Sequence, residues 1–240
     1  SKRVTPRSHK MSMKPNPPDS SLPDNGLLNR RYRVGRRLGR GGMGAVFECR
    51  DTHLAEHVVA IKENSNTSPD AQEQFKREAN ILARLQHPNL PKVTDYFIEP
   101  SGRQYLVMDY VPGDDLERII RRDGALSEAE ALRCMAQVLA AVHYLHTRRD
   151  KITGKQQAVI HRDIKPSNIK RTADAQYILV DFGISKFGAG TASAATLGSM
   201  RALTPGFAPI EQYDGGTDER SDIYSLGATL YALLTLHIPP

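Results

Sequence analysis

The sequence predicts an α+β chain built from two unlike parts, and three observations predict it. The first hundred or so residues read as short strands around a single long helical pattern, whereas the residues after about position 112 are mostly helical in period. Between Asp181 and Glu211 lies a stretch of about thirty residues rich in Gly, Ala, Ser and Thr, a length that inside a compact domain usually serves a function.

Composition sets the frame. A chain of 240 residues with 39% hydrophobic and 25% charged side chains has a globular composition and suffices for one large domain or two small lobes. Its two cysteines, Cys49 and Cys134, are far apart and in no metal-ligand spacing, so reduced thiols in a cytoplasmic protein are expected. No run of eighteen apolar residues occurs, so no membrane segment is expected in this stretch. Part of the formal charge of +6 gathers at the front, where Lys2, Arg3, Arg7, Lys10, Lys14 and Arg30 face only Asp19 and Asp24. Residues 1–28, rich in Pro, Ser and Asn without an apolar period, read as a disordered basic arm, and order is expected from about Tyr32. The basic run "NRRYRVGRR" rests on charge alone and a solvent-facing strand explains it, so no nucleic-acid partner is expected.

The elements follow in order. "YRVGRRLG" and "GAVFECRD" flank a glycine cluster as two strands of a hairpin, and "HVVAIKEN" reads as a third strand. Ser68 can cap and Pro69 can open the next helix, whose Phe75, Ala79, Ile81, Leu82 and Leu85 recur at helical spacing. Strands are expected at Val93–Ile98 and Gln104–Tyr110. "DDLERIIRR" and "SEAEALRCMAQVLAAVHYLHTRR" are helical, the second opened by Ser127 and Glu130 as a capping box. "AQYILVDFG" supplies a short strand. "SDIYSLGATLYALLTL" is apolar nearly all round, which predicts a buried helix.

Chemistry enters with the glycines Gly39, Gly41 and Gly44, a G-x-G-x-x-G followed by Val46. A dinucleotide fold would place them between a strand and a helix, but here a second strand follows. In a hairpin, glycines let backbone N–H groups approach phosphates unobstructed by Cβ atoms. A lysine on the next strand, Lys62 of "VAIK", could contact those phosphates, and Glu78 on the long helix could hold its flexible stem.

These residues, with "HRDIKPSN" at His161–Asn168, "DFG" at Asp181–Gly183, "TPGFAPIEQY" at Thr204–Tyr213 and "SDIYSLG" at Ser221–Gly227, resemble the Hanks-type serine/threonine protein kinases common in bacteria. The resemblance runs from about Tyr32 to the last residue. It implies a bilobal fold: a small antiparallel sheet with one helix over about 32–108, and a mostly helical lobe over about 112–240. It further implies an ATP-dependent transferase that phosphorylates Ser or Thr hydroxyls of protein substrates. Asp163 would orient the acceptor hydroxyl, Lys165 would stabilise the moving phosphoryl group, Lys62 paired with Glu78 would contact the α- and β-phosphates, and Asn168 and Asp181 would hold two Mg²⁺ ions. Leu38, Val46 and Ala60 would cover the adenine, with Met108 as gatekeeper and the Asp109–Val111 backbone bonding the purine. Asp115 either reaches a ribose hydroxyl or caps the helix starting at Leu116.

Regulation and departures follow from the same resemblance. Arg162 would pair with a phosphate in the activation segment, where Thr191, Ser193, Thr196 and Ser199 are candidate autophosphorylation sites or merely soluble loop residues. Thr204 is expected to face Asp163 and Lys165. Ile210 stands where A-P-E has its proline, with Glu211 in the glutamate position. The chain stops at Pro240, soon after the helix carrying Asp222, so a fragment of a longer kinase, marginally stable alone, is expected. The competing expectation is a nucleotide-binding pseudokinase or scaffold.

Overall fold

The computed structural model describes residues 26–41, 44–149, 154, 157–181, 204–213 and 216–239. Eight strands are present among them: β1 (Leu27–Leu28), β2 (Tyr32–Gly41), β3 (Gly44–Asp51), β4 (His57–Asn64), β5 (Val93–Ile98), β6 (Gln104–Asp109), β7 (Ile169–Arg171) and β8 (Tyr177–Leu179). The helices are α1 (Pro69–Leu82), α2 (Leu116–Asp123), α3 (Glu128–Thr147), α4 (Ile210–Tyr213) and α5 (Glu219–Thr235), with a 3₁₀ turn at Pro166–Asn168. The α+β, two-lobed expectation holds. Order begins earlier than the sequence suggests, because Leu27–Leu28 pairs with β2 and buries Leu28 in the sheet's outer core. Two leucines are too short a run to announce a strand; the sheet edge supplies the reason.

The first six strands form one antiparallel sheet in the order β1-β2-β3-β4-β6-β5. Period-two alternation gives the sheet two faces. Phe47, Cys49, Val59, Ile61, Tyr105 and Val107 pack on one side with Tyr32 and Phe97, whose rings stack at 5.7 Å. Directly opposed residues share a face, so Val46 opposite Lys62 and Ala60 opposite Met108 lie together on the other side. That side looks toward the second lobe.

Side-chain caps set the helix starts. Ser68 accepts from the Ala71 amide at 3.4 Å with Pro69 in the first turn, as the sequence predicts. At α3 only half of the expected capping box forms: Ser127 accepts from the Glu130 amide at 3.3 Å. The Glu130 carboxylate turns away to Arg171 and the Tyr177 hydroxyl, tying α3 to the β7–β8 hairpin instead. An ion pair plus a phenol outcompetes one backbone amide. A complete capping box occurs at α5, between Asp218 and Ser221.

A single apolar cluster joins the lobes, running from Phe75, Ala79 and Leu82 of α1 through Leu106 to Leu116, Val138, Leu145, Ile164 and Leu233. The α5 expectation is met on one face only: Asp222, Ser225, Leu226, Thr229 and Leu233 are buried, whereas Ile223, Tyr224, Tyr231 and Leu234 are exposed. Its buried hydroxyls are satisfied, Ser225 donating to the Phe207 carbonyl at 2.7 Å and Thr229 to the Ser225 carbonyl at 2.7 Å. Cys49 and Cys134 are free and buried, and burial pushes their thiols up to about 11 and about 12, so neither is a reactive thiolate.

Candidate active site

The segment His161–Asn168 crosses the front of the second lobe with little regular structure, so other groups must fix it. Asp222, fully buried on α5, does most of this. Its carboxylate accepts the His161 amide at 2.8 Å, the Arg162 amide at 2.8 Å and the His146 ring at 2.8 Å. Arg162 sits in the left-handed region at φ 67°, a conformation a non-glycine residue holds only when its surroundings enforce it. The Arg162 carbonyl accepts from Gln212 at 2.9 Å, so α4 also clamps the segment. Sequence reasoning gave Asp222 no task. Its signal was there: an acidic residue on the buried side of a helix must have partners.

This frame presents Asp163 with both carboxylate oxygens engaged. Oδ2 accepts from Asn168 at 2.9 Å and faces the Lys165 ammonium at 3.1 Å, while Oδ1 accepts from the Thr204 hydroxyl at 3.3 Å. Lys165 donates to Thr204 at 2.8 Å, so Thr204 bridges the two as the sequence predicts. Asn168 also donates to the Asp163 carbonyl at 2.7 Å. With its amide nitrogen spent on Asp163, its carbonyl oxygen remains for a cation.

Across the cleft, Lys62 donates to Asp181 at 2.8 Å. The ammonium holds Asp181 below the usual carboxylate range, and Asp163 is near enough to push the other way. Asp181 also adopts φ 63°, a second left-handed residue at the site.

The expected Lys62–Glu78 pair is not formed. Glu78 is buried on α1, where Oε1 accepts from Gln74 at 3.0 Å and Oε2 has no hydrogen-bond partner among the described residues. Burial pushes its carboxyl up to about 8, against smaller opposing effects of Gln74, Lys62 and Arg162. The physical reason is competition: Asp181 takes the ammonium.

The glycine hairpin closes as expected, Gly41 opposite Gly44. A Cβ on Gly44 would lie 1.9 Å from the Glu63 carbonyl oxygen, so β3 can pass β4 only without a side chain there. A Cβ on Gly39 would meet nothing within 4 Å, which leaves that backbone open from the cleft side. Leu38, Val46 and Met108 are partly buried and Ala60 is buried. Of the Asp109–Val111 backbone, the Asp109 amide is taken by the Lys92 carbonyl at 2.9 Å and is closed to a purine, whereas Val111 makes no backbone bond among the described residues. Asp115 forms the cap: it accepts the Arg118 amide at 2.9 Å and pairs with the Arg118 side chain at 3.2 Å. Phe182, Gly183, Thr191, Ser193, Thr196 and Ser199 lie outside the described residues.

A sheet and a helical lobe facing each other across Lys62, Asp163, Asn168 and Asp181 define a protein kinase domain, and the profile of that family, the protein kinase domain, matches residues 32–240. The chain belongs to this family. Curated relatives narrow the class: it is 34% identical over 227 residues to serine/threonine-protein kinase B and 37% identical over 226 residues to serine/threonine-protein kinase C, both of Synechocystis sp.. It is 35% identical over 216 residues to the probable serine/threonine-protein kinase PknB of Lactococcus lactis. These alignments take in 88%, 89% and 87% of this chain but only 38%, 40% and 32% of the relatives, so it spans about a third to two fifths of their length. Among solved structures, the apo form of PpkA-294 superposes with a TM-score of 0.72 at 29% identity, covering 92% of this chain and 80% of that one. Rad53 residues 1–466 in complex with AMP-PNP superposes with a TM-score of 0.68 at 25% identity, over 88% of this chain and 50% of that one.

Proposed function

We propose that this chain transfers the γ-phosphate of ATP to Ser or Thr hydroxyls of protein substrates. One observation carries the reading: Asp163, with both oxygens held by Asn168, Lys165 and Thr204, faces the Lys62–Asp181 pair from a segment pinned by Asp222. The residues suit Mg-ATP. Asn168 keeps a carbonyl oxygen free and Asp181 is held ionised, the hard oxygen donors that Mg²⁺ prefers, and Gly39 leaves the backbone open to phosphate. Asn168 and Asp181 would hold two Mg²⁺ ions, and Mg-ATP, when bound, would supply the phosphoryl group, with ADP as the leaving group, and charge neutralisation.

The protein's own part is alignment. Asp163 accepts the hydrogen bond of an incoming hydroxyl and takes its proton, and Lys165 offsets negative charge beside it. Lys62 leaves Asp181 for phosphate, and Glu78, now beside a freed cation, can ionise and hold it. Val46 and Ala60 offer an apolar roof to a purine, and the free Val111 backbone a hydrogen bond. Residues 32–108 and 112–240 act as the two lobes. Arg162 would receive a phosphate placed on Thr191, Ser193, Thr196 or Ser199. Neither a nucleic acid nor a membrane enters this reaction, and among the described residues no helix is long and apolar enough to cross one.

The test is transfer of ³²P from γ-labelled ATP to a generic basic protein, with Asp163→Asn as control. Loss of a positioned base predicts a rate about 10²–10⁴-fold lower in the variant. Equal inactivity of two folded proteins would instead support a scaffold.

A further inference from the structure

Asn168 and Lys170 are two residues apart, and Ile169 between them is extended at φ −119° and ψ 117° with its side chain fully buried. Alternation along extended chain therefore sends Asn168 and Lys170 to the same side, the side on which Asn168 faces the cleft. Lys170 is only partly exposed, lies opposite Ile178 on β8, and forms a β-bridge with Asp115 at the start of α2. Gly113 makes this approach possible: at φ 97°, a Cβ there would lie 2.1 Å from the Arg171 carbonyl oxygen. The charges that act on Lys170 come from both lobes, from Asp115, Arg118 and Asp114 below and from Arg36 on β2 above.

No hydrogen bond or ion pair ties the Lys170 ammonium among the described residues. Asp115, the carboxylate that acts on it most strongly, is committed to Arg118 through both carboxylate oxygens. An ammonium has three donors and no acceptor, so Lys170 can donate to any oxygen a ligand brings beside it. Burial indeed lowers its pKa, with Asp115 opposing.

We infer that Lys170 is a nucleotide-specificity residue, donating from the floor of the cleft to a sugar hydroxyl oxygen of the bound nucleotide. This rests on the nucleotide-binding reading above and assigns to Lys170 the ribose contact that the sequence offered to Asp115. Lys170 lies two residues beyond the "HRDIKPSN" motif at His161–Asn168.

Titration calorimetry on the 240-residue chain with Mg-ATP, Mg-2′-deoxy-ATP and Mg-3′-deoxy-ATP tests this, using wild type, Lys170→Met and Lys170→Arg. Wild type should bind one deoxy analogue about tenfold more weakly than ATP, the worth of one charge-assisted hydrogen bond. Lys170→Met, of similar length but without donors, should bind all three alike, and Lys170→Arg should keep part of the discrimination. A thermal midpoint near that of wild type confirms that each variant is folded. Unchanged discrimination in Lys170→Met, or none in wild type, overturns the assignment while leaving ATP binding intact. Failure of folded wild type to bind ATP overturns both readings.

Discussion

The two sides of the cleft are built to different degrees of completion. On the Asp163 side, three side chains among the described residues hold the carboxylate, and the backbone is pinned through Asp222, which is itself bonded to two amides and a histidine. On the opposite side, Lys62 donates to Asp181, and among the described residues neither Glu78 Oε2 nor the Lys170 ammonium has a hydrogen-bond partner. The difference follows from what each side can bond to in isolation. The Asp163 side finds its counter-groups within the chain, so it can be preorganised. The other side presents Lys62 and Lys170, cations for which an oxygen of a phosphate or a sugar would be a natural partner.

The comparison breaks most visibly if the pinned side is loosened. Asp222→Ala should cost about 3–5 kcal/mol in urea unfolding, because it strands one buried and one partly buried amide at roughly 1–3 kcal/mol each and removes a partner of His146. A loss below about 1 kcal/mol would mean that α5 does not hold the His161–Asn168 segment.

A smaller effect sharpens the other side. Glu78 ordinarily titrates near 4.5, but burial pushes it up to about 8 in the folded chain. Between those values the folded form binds a proton that the unfolded form has released, so stability falls as pH rises through that window. Glu78→Gln removes this slope, and the variant should gain up to about 4 kcal/mol on wild type at pH 8 compared with pH 5. Thermal melts at the two pH values read it, and parallel behaviour would place Glu78 in a wetter setting than the structure gives it.

Sequence carried the fold further than it carried the site. The hairpin around Gly41 and Gly44, the cap at Ser68 and the strand at His57–Asn64 were legible because local patterns determine them. Thr204 beside Asp163 and Lys165 was legible through the motif that contains it. Glu78 was not, because whether Lys62 turns to it or to Asp181 is a competition between two carboxylates that are 103 positions apart in sequence (181 − 78). Glu130 failed the capping box for a related reason, since its partners Arg171 and Tyr177 come from a distant hairpin. Lys170 is invisible in sequence as one lysine among thirty-three cationic residues until β7 and α2 are brought together.

Amide hydrogen exchange on the 240-residue chain, with and without Mg²⁺ and a non-hydrolysable ATP analogue, tests the asymmetry most directly. The account predicts that β2, β3 and α1 gain protection when the nucleotide binds, while the His161 and Arg162 amides, already bonded to Asp222, exchange at an unchanged slow rate. Fast exchange of those two amides in the free chain, slowed only by nucleotide while α1 stays unaffected, would contradict it.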